Sequence, residues 1–106
     1  MILVRDEFQC EAGQAQEFVN RFKEMANSVD GQDVIKRGRI MTDLSGRFDT
    51  VVVESEIESI DAYFAMMRAA FADPEFQAAQ AADTNSLYGS GTRTFYTVEA
   101  TYESEG

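Results

Sequence analysis

Alternate residues of the opening stretch ILVRDEFQC place Ile2, Val4, Asp6, Phe8 and Cys10 on one side of an extended segment and Leu3, Arg5, Glu7 and Gln9 on the other. Asp6 is the one carboxylate in an otherwise apolar row. A carboxylate held among apolar side chains must find a partner or take up a proton. Short of water beside a pocket, such a group becomes a competent base toward a phenol or an activated carbon acid, the step needed in cofactor-free oxygenation or isomerisation. Thr42 and Ser55, expected on the same face, are its candidate companions in binding a ligand, and Tyr63, Tyr88 and Tyr96 are candidate hydrogen-bond donors to a developing oxyanion. Two arrangements would make Asp6 structural instead: a bulge that turns it outward, or an ion pair with Arg93 on the last strand.

Other chemistry is excluded by composition. Histidine is absent and Cys10 is the sole cysteine, which rules out Ser-His-Asp and Cys-His mechanisms, an internal disulfide and a thiolate cluster. The commonest metal ligand is missing as well, and no metal or organic cofactor is expected. Acidic side chains outnumber basic ones 19 to 9, a formal charge of −10 that repels phosphate backbones and anionic lipid surfaces. Neither nucleic acid nor membrane is therefore an expected partner. No apolar run approaches the roughly 20 residues of a membrane span, and Arg5, Asp6 and Glu7 interrupt any signal-peptide core, so a cytoplasmic location is expected.

The elements that must position these residues follow from periodicity. After the first strand, Phe18, Phe22, Met25 and Val29 recur at helical spacing and predict a helix over about 13–29. VIKRGRIMTDL reads as a second strand, with Ile40 and Leu44 on one side and Arg37, Arg39 and Met41 on the other, followed by a hairpin turn at Ser45 and Gly46. FDTVVVESEI is a third strand, its Val51, Val53 and Ile57 facing the core with Ser55 as the polar member of that set. Ser59 is the expected N-cap of a second helix whose Ile60, Phe64, Met67 and Phe71 form the buried stripe. Asp73 and Pro74 restart the helix toward Asn85, YGSG ends it, and TRTFYTVEATY makes the fourth strand, Tyr96 and Val98 on one side and Phe95 on the other.

The order strand, helix, strand, strand, helix, strand predicts an α+β, ferredoxin-like βαββαβ fold: a four-stranded antiparallel sheet with two helices on one face. One domain over 1–102 and a frayed tail at 103–106 are expected. The helix-covered face collects Ile2, Val4, Phe8, Ile40, Leu44, Val51, Val53 and Ile57 as the expected core. The opposite face mixes Leu3, Met41 and Val52 with Arg5, Arg37, Arg39, Glu7, Glu54 and Glu56, which are placed to pair across strands. That face is either solvated, with weak ion pairs, or covered by the sheet of a second copy.

VRDEFQCEAGQAQEFVNRF and SGRFDTVVVESEIESIDAYFAMMRAAFADPEFQ resemble, in order, the opening and second half of dimeric α/β-barrel proteins, and in particular small NIPSNAP-type and antibiotic-biosynthesis-monooxygenase-like members. The resemblance implies a homodimer and a small hydrophobic ligand held between sheet and helices. It implies, as the alternative, a cofactor-independent monooxygenase or isomerase acting on an aromatic or polyketide-like substrate. Asp6 stands where haem-degrading members carry an asparagine, seven residues before the turn glycine, here Gly13. Those members also need a tryptophan and a histidine, and this chain has neither. Haem degradation by that route is not implied.

Overall fold

The computed structural model describes residues 1–28, 33–75, 77–78 and 88–103. Six elements follow one another: β1 (Ile2–Cys10), α1 (Ala15–Ser28), β2 (Ile35–Thr42), β3 (Thr50–Ile57), α2 (Ile60–Ala72) and β4 (Tyr88–Thr97). The strands form one sheet in the order β2-β3-β1-β4, and every neighbouring pair is antiparallel. This is the expected ferredoxin-like α+β architecture, with β1 and β3 central.

Central position explains the burial of those two strands. Val4, Val51 and Ile57 are almost fully enclosed, each contributing roughly 1.5–3 kcal/mol through removal of apolar surface from water. The core divides in two. Beneath α1, Cys10, Phe18, Val19, Val51 and Val53 pack with Phe8, Phe22 and Ile40. Beneath α2, Val4, Ile57 and Tyr63 pack with Met66, Met67 and Phe95. Asp6 lies on β1 between Val4 of one cluster and Phe8 of the other, so the carboxylate stands at the seam.

Local signals set the element ends. Ser59 accepts the Ala62 N–H at 3.2 Å and caps α2. Asp73 accepts the Glu75 N–H at 2.9 Å, as expected for the restart at Pro74, and its carbonyl accepts the Gln77 N–H at 3.0 Å; the continuation from residue 79 to Asn85 lies outside the described residues, as do Val29 and the side chain of Met25. Asp49, in left-handed backbone at φ 58°, accepts the Gly13 N–H through Oδ2 at 3.1 Å and the Cys10 N–H through its carbonyl at 2.8 Å. It thereby ties the turn before α1 to the β2–β3 loop.

Four sequence expectations are corrected. The buried side of α2 is Tyr63, Met66 and Met67, while Ile60, Phe64 and Phe71 are well exposed; the helix is apolar nearly all round, so its own pattern does not choose the inward face. Leu44 and Phe48 belong to a loop over 43–49 and lie in solvent, because pairing stops at Thr42 and Thr50. YGSG opens β4 rather than preceding it: Gly91 pairs with Phe8, and a Cβ there would lie 3.1 Å from the Phe8 ring. The strand consequently ends at Thr97, short of Glu99 to Tyr102.

Candidate functional site

The antiparallel β1–β4 register sets Asp6 opposite Arg93 and Val4 opposite Phe95, so all four face the helices. Arg93 Nε donates to Asp6 Oδ1 at 2.6 Å and Nη2 to Oδ2 at 3.4 Å. The Asp6 side chain retains 13% exposure and that of Arg93 38%. Asp6 thus points inward as its alternation predicts, and it does so as half of a forked ion pair. The guanidinium carbon lies 5.6 Å from the centroid of the Tyr63 ring, a cation–π contact. Burial works against the charge on Arg93, but the hydrogen bond and charge of Asp6 outweigh it and raise its pKa above the ordinary value. Burial also pushes the Tyr63 phenol up; Arg93 opposes that shift and Asp6 adds to it.

Aromatic rings frame the pair. Tyr63, Phe64 and Phe95 meet with centroid separations of 5.7–5.9 Å, and Phe8 rests 4.8 Å from Phe18 on the other flank. Asp6, Phe8, Gly91, Thr92 and Arg93 line a groove of about 320 Å³ that is open to solvent. Glycine at 91 keeps the groove open beside the Phe8 ring.

The remaining sequence candidates are distributed unevenly. Tyr63 is buried against Arg93. Ser55 shares the helix-covered face and sits diagonal to Asp6, whose partner on β3 is Val53, a spacing of roughly 7–8 Å. Thr42, at the end of β2, lines a second groove instead, on the helix-free face with Arg5, Arg39, Met41 and Glu54. Tyr96 pairs with Leu3, so alternation puts it on that same far face, half exposed and away from Asp6. The side chain of Tyr88 lies outside the described residues.

Arg93 enters the sequence expectations only as a structural partner for Asp6, yet it borders the groove. Its signal is present in TRTFYT, where Arg93 and Phe95 alternate onto one face, so the only cation of that segment is aimed at the same side as Asp6. On the helix-free face, Glu54 is buried between Arg39 and Arg5, and Arg37 lies 3.7 Å from Glu56. The expected cross-strand pairs form there, with two arginines converging on one glutamate. Among the described residues no group of acidic or cysteine side chains is arranged to hold a metal ion, and no helix is long and apolar enough to cross a membrane.

The class this architecture defines is the ferredoxin-like α+β protein, and solved structures share it. A NIPSNAP domain protein from Burkholderia xenovorans has TM-score 0.79 at 20% identity, over 98% of this chain and 100% of that one. A NIPSNAP family protein from Agrobacterium tumefaciens has TM-score 0.78 at 14% identity, over 94% of this chain and 88% of that one. SnoaB, a cofactor-independent oxygenase from Streptomyces nogalater, has TM-score 0.70 at 18% identity, over 94% of each chain. At these identities the likeness is one of fold. No family model matches the sequence, and no curated protein matches it.

Proposed function

We propose that this is a NIPSNAP-like protein that binds a small, largely hydrophobic molecule in the groove lined by β1 and β4. It works as a cytoplasmic homodimer whose helix-free sheet faces meet. The observation that carries the reading is the seam: an open groove of about 320 Å³ lined by Asp6, Phe8, Gly91, Thr92 and Arg93, with one ion pair set into it and the Tyr63 ring packed against its arginine. Ligand sites of roughly 300–1,000 Å³ with few polar groups are the common kind, and a groove with the Phe8 ring on one side suits a small molecule with an apolar face. Support for dimerisation comes from Leu3, Met41, Val52 and Tyr96, which leave apolar surface around the Glu54 cluster on the face without helices.

Thermal unfolding in the presence of phenols, quinones and aromatic ketones tests the reading. A ligand bound by the folded chain alone raises the midpoint with concentration. A flat response across the whole panel removes the groove as a binding site.

A second reading is a cofactor-independent monooxygenase or isomerase with Asp6 as the base and Ser55 and Tyr63 beside it. The looser contact of Asp6 Oδ2, at 3.4 Å from Arg93, favours it by leaving an oxygen with spare acceptor capacity. Oxygen uptake or isomerised product with a panel substrate, abolished in Asp6→Asn, is the expected result; turnover unchanged in that variant eliminates Asp6 as the proton acceptor.

A further inference from the structure

Arg93 meets its surroundings on three sides. Behind it lies the Tyr63 ring at 5.6 Å, and on one flank the Asp6 carboxylate takes the Nε and Nη2 hydrogens. The third side borders the groove, and the Nη1 amino group has no hydrogen-bond acceptor among the described residues. A guanidinium donates from every nitrogen, so this leaves a donor directed by a rigid fork and held between a ring and a carboxylate. The charge that usually accompanies such a donor is cancelled locally by Asp6.

That cancellation decides what the donor can recognise. An anionic ligand would gain the attraction of Arg93 but meet the repulsion of Asp6 a few ångströms further on, in a chain whose formal charge is already −10. A neutral carbonyl oxygen accepts the same hydrogen bond without that repulsion. A hydrocarbon would fill the groove and leave the donor unmatched in a partly desolvated place. We propose that Arg93 is the specificity-determining residue of the groove and that, with Asp6 neutralising it, it selects neutral planar compounds bearing a carbonyl oxygen over their carboxylate and hydrocarbon counterparts. The inference rests on the groove being the ligand site.

Matched probes test it: 2-acetylnaphthalene, 2-naphthoate and 2-ethylnaphthalene, titrated against the isotope-labelled protein with amide chemical shifts as readout. The ketone is expected to bind at least about tenfold more tightly than either of the others. In Arg93→Met the ketone loses this lead and binds like the hydrocarbon. In Asp6→Asn, which keeps the guanidinium and removes the opposing charge, the order inverts and 2-naphthoate becomes the best ligand. Because Asp6→Asn preserves shape, it reports even if Arg93→Met fails to fold. Equal binding of ketone and hydrocarbon by the unaltered protein overturns the role of Arg93 while leaving the groove intact as a site. Carboxylate affinity unimproved in Asp6→Asn overturns the neutralisation. Failure of all three probes to bind overturns the groove reading and this inference with it.

Discussion

Arg39 grips Glu54 from the neighbouring strand, its Nε and Nη2 both donating to Oε1, at 2.8 and 2.6 Å, while Arg5 approaches Oε2 at 3.4 Å from the other side. Among the described residues Glu54 is the one buried charged side chain, and it is buried on the face of the sheet that carries no helix. Two arginine stems supply the cover that a helix supplies elsewhere.

Removing Arg39 therefore strips both screening and hydrogen bonds from an enclosed carboxylate. Arg39→Ala should lower stability by about 1–3 kcal/mol, read from the urea midpoint. Arg37→Ala serves as the control, since Arg37 and Glu56 are 3.7 Å apart and more exposed; it should cost at most about 1 kcal/mol.

Dimerisation through the same face is checked at Val52, which pairs with Glu7 on β1 and Met41 on β2. Val52→Asp adds a charge beside Glu7 without touching the helix-covered core. Light scattering should give the dimer mass for the unaltered protein at micromolar concentration and the monomer mass for the variant, with circular dichroism unchanged. A monomer in both would dismiss the face-to-face arrangement.

Alkaline pH should weaken the fold in two steps. Cys10 has its thiol pushed up by burial and then by the Asp49 charge, and Tyr63 has its phenol pushed up chiefly by burial. Each group holds its proton more firmly folded than unfolded. The stabilisation is complete below the ordinary values, about 8.5 for a thiol and about 10 for a phenol, and is lost as pH rises through the folded-state values. Midpoints measured across that range should fall, Cys10→Ala flattening the lower part of the decline and Tyr63→Phe the upper part.

Gly91→Ala should both destabilise and fill the groove. The added methyl would stand 3.1 Å from Phe8 Cδ1, and the Phe8 ring is backed by Phe18 at 4.8 Å. Overpacking of this kind costs about 1–3 kcal/mol, measurable in urea, and any groove ligand should bind more weakly to the variant.

Much of this arrangement is legible from strand alternation. In β1 and β3 the period of two is unambiguous because helices cover one face only, and that alone points Asp6 inward and Glu54 outward. Helix α2 is harder: Ile60, Phe64 and Phe71 compete with Tyr63, Met66 and Met67 for the inward position, and only the sheet beneath selects among them. The glycines of YGSG carry the usual marks of a chain break, whereas their place in β4 depends on the Phe8 ring lying across Gly91. The Asp6–Arg93 pair depends on the β1–β4 register, which joins residues 87 apart in sequence and has no local signature.

Of the two outer strands, β2 presents Lys36, Arg37 and Arg39 in succession, all exposed, on a chain where acids outnumber bases 19 to 9. Laying that margin against its counterpart in another molecule would crowd like charges along the whole contact. A cationic border of this kind opposes ribbon growth and fibril templating along the margin of the sheet.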